Sequence, residues 1–331
     1  MNVLVLGGAG YIGSHTVKEL IENGHGAVVL DNLEIGHRKA VDANAAFYEG
    51  DLRDPALLDK VFNDNRIDAC IDFAAYTVVA ESMADPLKYY GNNVNGMHAL
   101  LKGMTKHNVT KIVFSSTASV YGIPERTPVL ETDKTEPINP YGETKLAVEK
   151  MLKWAANAYG VQYISLRYFN VAGAHVSGTI GEAHKPETHL VPLAIRAALS
   201  GNDFEIYGDD YDTADGTCIR DYVHVTDLAA AHILAVDKLL KNGGCGVYNL
   251  GNGKGFSNKE IIEETEKVTG RAINKKYAKR RPGDPDILVA SSEKIVRELN
   301  WRPKYQRLNE IIDSAYVWHK NHPRGFDEYK T

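Results

Sequence analysis

Residues 2–24 read NVLVLGGAGYIGSHTVKELIENG. Asn2–Leu6 is a short apolar run that ends in glycines, the signature of a strand buried on both faces of a parallel sheet. The segment Gly7-Gly8-Ala9-Gly10-Tyr11-Ile12-Gly13 follows, then a helical pattern through Ile21 and a stop at Asn23-Gly24. Strand, glycine turn and helix in that order are the context of a dinucleotide fingerprint. The spacing satisfies GxGxxG from Gly8 and GxxGxxG from Gly7. Gly7, Gly10 and Gly13 allow a tight turn and a close approach of backbone to a pyrophosphate. The free N–H groups and dipole of the helix start favour that anion.

Working outward, the next strand, Ala27–Leu30, ends at Asp31, roughly 20 residues past the glycines. A carboxylate there accepts bonds from the ribose hydroxyls of NAD and repels the extra phosphate of NADP. Ala46–Tyr48 leads to Asp51-Leu52, where Asp51 either holds an adenine amino group or caps a helix beginning near Pro55. Ala69–Phe73 is a fourth strand and runs into Ala74-Ala75, small residues that let a cofactor lie close. Pro86 opens a long helix that carries Asn92, a candidate ligand. Lys111–Phe114 ends in Ser115-Ser116-Thr117-Ala118-Ser119, hydroxyls beyond a strand's carboxyl end, where open α/β sheets bind ligands. Residues 140–145, PYGETK, place Tyr141 and Lys145 four apart on one helical face. Poising a tyrosine near neutral pH needs ~4 kcal/mol of help to the phenolate, and a nearby ammonium and an oxidised nicotinamide both act in that sense. Tyr163–Leu166 is a sixth strand. The alternation predicts an α/β Rossmann-type, doubly wound parallel sheet.

At 331 residues the chain accommodates a full core. Apolar residues make up 44% and charged residues 24%, as in a soluble globular protein. A formal net charge of −5 argues against nucleic acid as a partner. Cys70, Cys218 and Cys245 show no CxxC spacing and fit a reducing compartment. No apolar run approaches the ~20 residues of a membrane span, and the N-terminus carries no signal-peptide pattern. The expectation is a cytoplasmic protein with no membrane partner.

Across GGAGYIG, Asp31, SSTASVYG (115–122), PYGETK, LRYFN (166–170), RDYVHVTDLA (220–229) and RRPGD (280–284), the chain resembles the extended short-chain dehydrogenase/reductase family. The resemblance implies an NAD-dependent isomerase that inverts carbon 4 of a UDP-hexose, UDP-glucose to UDP-galactose and back, through a 4-keto intermediate. It implies Tyr141 as base, Thr117 as the catalytic hydroxyl that also meets substrate, and Lys145 on the nicotinamide ribose. Tyr11 and Ile12 fall at the pyrophosphate turn, and Asp31, Asn32, Leu33 and Gly36 around the adenosine ribose. Asp51 and Leu52 border the adenine. Phe73, Ala74, Ala75 and Thr77 line the cofactor cleft with Asn92, and Phe169 lies near the nicotinamide. Asn170, His189, Leu190, Tyr207, Arg220, Arg281, Asp284 and Leu288 are assigned to the UDP-sugar. Thr77 stands where many relatives carry lysine, Leu6 where threonine is frequent, and His189 where some have asparagine. The family also implies a homodimer through paired helices.

After residue 170 the strict alternation stops. The reading divides the chain into a Rossmann domain at 1–170 and a smaller mixed α/β substrate lobe at 171–331, with some segments returning to the first. Val171–Thr188 reads as a long loop, Leu190–Leu199 as helix and Phe204–Tyr207 as strand. Arginines offer a planar fork that suits a diphosphate, and their places in RDYVHVTDLA and RRPGD are why the resemblance marks Arg220 and Arg281. His175, His184 and His189 show no metal motif such as HExxH, so no metal site is expected. By the resemblance, Leu288 falls where relatives differ between a bulky aromatic and smaller groups that leave room for an N-acetyl group; leucine is intermediate, which leaves a UDP-N-acetylglucosamine 4-epimerase, or another NAD-dependent nucleotide-sugar enzyme, as the alternative. A 4,6-dehydratase would want an Asp-Glu pair after Thr117, where Ala118-Ser119 stand. A non-catalytic NAD-sensing module would have no need of the YxxxK pair.

Overall fold

In the computed structural model, which describes residues 1–280 and 284–327, the first apolar run is buried at every position after Asn2. It forms β1 (Asn2–Leu6), and the glycine turn delivers the chain into α1 (Tyr11–Glu22). There follow β2 (Gly26–Asp31), β3 (Ala46–Glu49), α2 (Pro55–Asp64), β4 (Ala69–Asp72), α3 (Val79–Ala84), α4 (Pro86–Tyr89), α5 (Asn95–Lys106), β5 (Lys111–Thr117), α6 (Pro140–Tyr159) and β6 (Gln162–Tyr168). The second half holds β7 (Asn170–Ala172), α7 (Leu190–Ser200), β8 (Asp203–Tyr207), β9 (Ile219–Arg220), β10 (Tyr222–His224), α8 (Val225–Asn242), β11 (Gly246–Leu250) and β12 (Phe256–Ser257). It closes with α9 (Asn258–Thr269), β13 (Asn274–Ala278), β14 (Ile287–Leu288), α10 (Glu293–Leu299) and α11 (Leu308–Asn321).

Seven strands form one parallel sheet in the order β11-β6-β5-β4-β1-β2-β3. This is the doubly wound order expected, with β11 added beyond β6. Alternate strand residues face opposite helix layers. Val3, Val5, Val29, Ile71, Val113 and Ile164 pack against Val17 and Leu20 of α1 and Leu228, Ala231 and Leu239 of α8. Leu4, Leu6, Val28, Cys70, Ile112 and Phe114 pack against α2, α5 and α6 through Leu58, Phe62, Leu100, Met104, Val148 and Leu152. Both faces are covered, which is why these strands are apolar throughout rather than alternating.

The register aligns the carboxyl ends of the central strands. Leu6 pairs with Leu30 and Asp72, and Thr117 pairs with Tyr168, so Asp31, Asp72 and Thr117 finish along one edge. Above that edge, α7, α9 and α11 pack around Val191, Ile195, Ile261, Ile311 and Ile312. Ser257 starts α9 with a reciprocal cap, its hydroxyl accepting from Glu260 N while Glu260 accepts from Ser257 N.

Three readings change. The helix opened by Pro86 is interrupted at Tyr90–Val94 by a π-helical turn, which re-aims its asparagines. The 171–188 loop starts as β7, which pairs in parallel with β10. Asp51 does not cap α2: Asp54 does, accepting from Ala56 N and Leu57 N.

Candidate active site

The glycine turn is shaped by close contact. Gly7 has φ +71°, and a Cβ there would sit 2.8 Å from Ala74 N; a Cβ on Gly13 would sit 2.2 Å from Gly7 O. Gly10 begins α1 without a side-chain cap, and no acidic residue occupies the first turn. The helix start therefore presents free N–H groups and uncompensated positive potential. Asp31 holds the turn from the other side: its carboxylate accepts from Ala9 N and Leu33 N, both at 2.9 Å. Leu33 takes φ +58°, a turn that this Asp31 bond helps support. Gly36 packs against Ala9 and the Asp31 carboxylate, while Asn32 is exposed beside it. This cradle fits a dinucleotide: the turn has no room for a Cβ at Gly7 or Gly13, the helix start favours an anion, and a carboxylate marks the ribose position.

The remaining cofactor candidates spread along the same cleft. Ile12 is half-buried, packed on the core under the turn. Tyr11 donates its hydroxyl to Gly173 O at 2.6 Å and so ties the turn to the 171–188 segment. Asp51 is gripped by its neighbour Arg53 at 2.9 and 2.6 Å, with Leu52 packed below. The Phe73 ring lies tilted against His232, with centroids 4.7 Å apart; Ala74 and Ala75 are half-buried, and Thr77 is exposed. Asn92 donates to Asn93 at 3.2 Å. Asn93 does the tying: it accepts from Tyr76 N, and its amide donates to Tyr76 O and to Thr144 on α6.

Asn139 caps α6 by accepting from Gly142 N at 2.8 Å, which fixes the first turn and with it Tyr141. Tyr141 and Lys145 are both buried, on the face expected from their spacing. The Lys145 Nζ lies 6.0 Å from the centre of the Tyr141 ring and donates to Ser115 O at 2.8 Å. Burial pushes the Tyr141 phenol up to about 12, while the neighbouring Thr117 hydroxyl pulls the other way. Burial lowers Lys145 to about 8, opposed by the Asp72 carboxylate at the end of β4. Asp72 is itself raised to about 6 by burial, with Lys145 opposing. The ammonium thus spends its charge on Ser115 and Asp72.

Thr117 ends β5 and caps the short turn Ala118–Tyr121 by accepting from Ser119 N. Its strand is locked from behind by a buried ion pair. Arg167 of β6 donates to both oxygens of Glu149 on α6 at 2.9 and 2.6 Å, Ser116 donates to the same carboxylate, and Arg167 reaches Tyr121, which bonds Asn249 of β11.

On the substrate side, Phe169 and Leu288 share an apolar cluster with Ala118 and Leu146. Asn170 is half-buried, its N–H donating to Asp221 O. Arg220 pairs with Asp284 at 3.1 Å, and β14 sets Leu288 beside Arg220 in register. Tyr207 lies on the exposed face of β8 and donates to Glu205. Leu190 begins α7 and packs into its apolar face. Arg281 lies outside the described residues.

His189 is drawn away from a purely substrate role, its Nδ1 lying 2.5 Å from Glu182 Oε1. His184 joins the same group, whereas His175 turns to Glu19 and Glu22 of α1. No sequence motif announces the grouping, yet Glu182, His184, Glu187 and His189 converge in the fold.

Sequence reasoning also passed over Asp72, Asn93, Glu149 and Asp221. The last is fully buried and accepts from Asn252 N, Gly253 N and Ala290 N. Asp72 had a readable signal, an acidic residue ending a central strand as Asp31 does.

Residues 3–251 match the NAD dependent epimerase/dehydratase family. The chain is 55% identical over 327 residues to UDP-glucose 4-epimerase of Halalkalibacterium halodurans, covering 98% of both chains. It superposes on a crystal structure of a UDP-glucose 4-epimerase with a TM-score of 0.97 at 50% identity, covering 99% of this chain and 100% of the other. A second, from Bifidobacterium longum in complex with NAD+ and UDP, gives 0.93 at 40% identity over 98% and 100%.

Proposed function

The chain belongs to the NAD-dependent epimerase/dehydratase family, and from that premise we propose that it interconverts UDP-glucose and UDP-galactose by inverting carbon 4 through a 4-keto intermediate. The observation that carries this reading is the meeting of Thr117, Tyr141 and Lys145 at the strand edge beside the glycine cradle. Bound NAD supplies the acceptor and donor of the C4 hydrogen and a positive ring that favours the phenolate.

Tyr141 removes the proton from the sugar 4-hydroxyl. Thr117 bonds the same oxygen and holds it in line. Lys145, protonated at neutral pH and anchored on Ser115 O, orients the nicotinamide ribose. Arg220, with Asp284 aligning its fork, holds the diphosphate, and Arg281 belongs to the same role. Tyr207 stacks on the uracil from the exposed face of β8. The ketone then turns about the diphosphate, presents its other face, and recovers the proton from Tyr141. Leu288 and Phe169 bound the space in which the sugar turns.

We assign residues 1–170 to the cofactor domain and 171–331 mainly to the substrate lobe. β11 and α8 of the second half pack on the cofactor sheet, which supports a cleft between closely joined units. A homodimer fits the exposed apolar residues Met83 and Leu87 on α3 and α4 and Trp154 on α6. Free Cys70, Cys218 and Cys245 support a reducing, cytoplasmic setting.

The test is to incubate the purified protein with UDP-galactose, without added NAD, and separate the UDP-sugars. UDP-glucose is expected; no conversion even with NAD added refutes the reading. Tyr141→Phe should lose roughly 10²–10⁴-fold in kcat while retaining NAD, and near-normal turnover would remove Tyr141 as the base.

A further inference from the structure

Glu182, His184 and Glu187 take no part in the reaction described above; they gather around His189, which the resemblance assigns to the UDP-sugar. Its ligand-type atoms, one from each residue, all lie within 4.8 Å of one another. His184 Nδ1 is 3.1 Å from Glu182 Oε1 and 3.8 Å from Glu187 Oε1. His189 Nδ1 is 2.5 Å from Glu182 Oε1 and 3.4 Å from Glu187 Oε1. A tetrahedral zinc ion bound at about 2.0–2.2 Å to nitrogen and oxygen would hold its ligand atoms about 3.4 Å apart. The observed separations straddle that figure, so small side-chain adjustments close the shell.

Two features separate this group from an ordinary surface ion network. Its carboxylates are deeply placed, the side chains of Glu182 and Glu187 being 4% and 1% exposed. Glu187 Oε2 is buried without a hydrogen-bond partner, its nearest cationic neighbour being Arg196 at 3.9 Å. His184 Nδ1 is likewise buried, and its 3.1 Å approach to Glu182 is not a hydrogen bond. Two buried carboxylates repel each other, and an unpaired buried polar atom is costly. A cation at the centre of the group answers both problems at once.

We propose that Glu182, His184, Glu187 and His189 form a binding site for one divalent first-row transition cation, with zinc as the best match to a set of two imidazoles and two carboxylates. Mixed nitrogen and oxygen donors at these separations favour zinc over magnesium or calcium, which prefer six or more oxygens. The role is structural. The segment's carbonyls already accept from the rest of the molecule: Ala183 O from His37 Nε2 and Glu182 O from Trp318 Nε1. The His184 ring meets the edge of Tyr11 at the glycine turn, with centroids 6.2 Å apart. The cation would lock the side chains of a strap that joins the nucleotide turn, α7 and α11. Without it, protonated rings offset the carboxylate charge but leave Glu187 Oε2 and His184 Nδ1 without hydrogen-bond partners; binding releases ring protons as the metal takes their lone pairs.

The experiment uses untagged, full-length protein. Metal content is measured as purified. The protein is then dialysed against a chelator and titrated with zinc chloride by calorimetry, with magnesium chloride in parallel. About one zinc per chain, proton release on binding and a Tm that climbs with zinc concentration are expected. His184→Ala and Glu187→Gln should each weaken zinc binding by roughly 100-fold or more, with far-UV circular dichroism unchanged. Absence of saturable zinc binding by the wild-type protein overturns the proposal, as does binding by the doubly substituted protein equal to that of wild type. Neither result bears on the epimerase reading, whose assay is separate.

Discussion

Asp72 and Lys145 share a buried edge of the cleft, and each alters the other's proton affinity. Burial lowers Lys145 to about 8, and the Asp72 carboxylate is what keeps it from falling further. In Asp72→Asn that support is gone, so the ammonium is lost at a lower pH. The alkaline limb of kcat/KM against pH should therefore move to lower pH. A limb that stays in place, with full activity elsewhere, removes Asp72 from this role. Single residues differ in how far the sequence announces them. Tyr141 and Lys145 are legible because helical spacing puts them on one face, and Asp31 because its distance from the glycines is a local quantity. Asn93 was missed in favour of Asn92 because a π turn decides which of two adjacent asparagines points to α6.

Among the elements, the join between β1 and α1 is the least tolerant. A methyl group on Gly13 meets Gly7 O at 2.2 Å, so the helix start must retreat from the turn. Gly13→Ala is expected to purify without NAD while keeping its helical circular dichroism; retention of NAD at the wild-type level would contradict the cradle. The tie between α6, β5 and β6 is different in kind. Removing Arg167 leaves Glu149 charged and buried, at a cost of about 3–5 kcal/mol. Arg167→Met should show this loss in urea unfolding, and Arg167→Met with Glu149→Leu should recover most of it. An equal loss in the double variant would show that packing, not the stranded charge, is at issue. The strands and helices of the first 170 residues were legible because each repeats a simple period between glycine or proline stops. The short pairings β9 with β12 and β14, and β7 with β10, were not, since two- or three-residue strands carry no period and exist only through distant partners.

For the molecule as a whole, stability is tied to histidines kept neutral inside. Burial lowers His232 to about 4 and His224 to about 3, both below the usual 6.5. Between those values and 6.5 the unfolded chain binds protons that the folded chain refuses. Stability therefore falls as pH drops from about 6.5 toward 4, each group adding up to ~1.4 kcal/mol per pH unit. Thermal unfolding across that range should show the decline, and His232→Asn should flatten it by about one proton; an unchanged slope would mean that His232 is protonated in the folded state. The general architecture was open to reading because α/β alternation is a sequential property. The four-residue Glu/His group was not, for it depends on how a loop folds over α1. The place of β11 has a consequence for the making of the protein. Residues 246–250 complete the sheet beside β6, yet they leave the ribosome some eighty residues later than β6 does. Throughout that interval the newborn chain carries a naked, apolar strand margin, ready to zip onto any similar margin nearby. Shielding of nascent chains by a holdase during synthesis should thus raise soluble yield more than any change to the finished enzyme's surface.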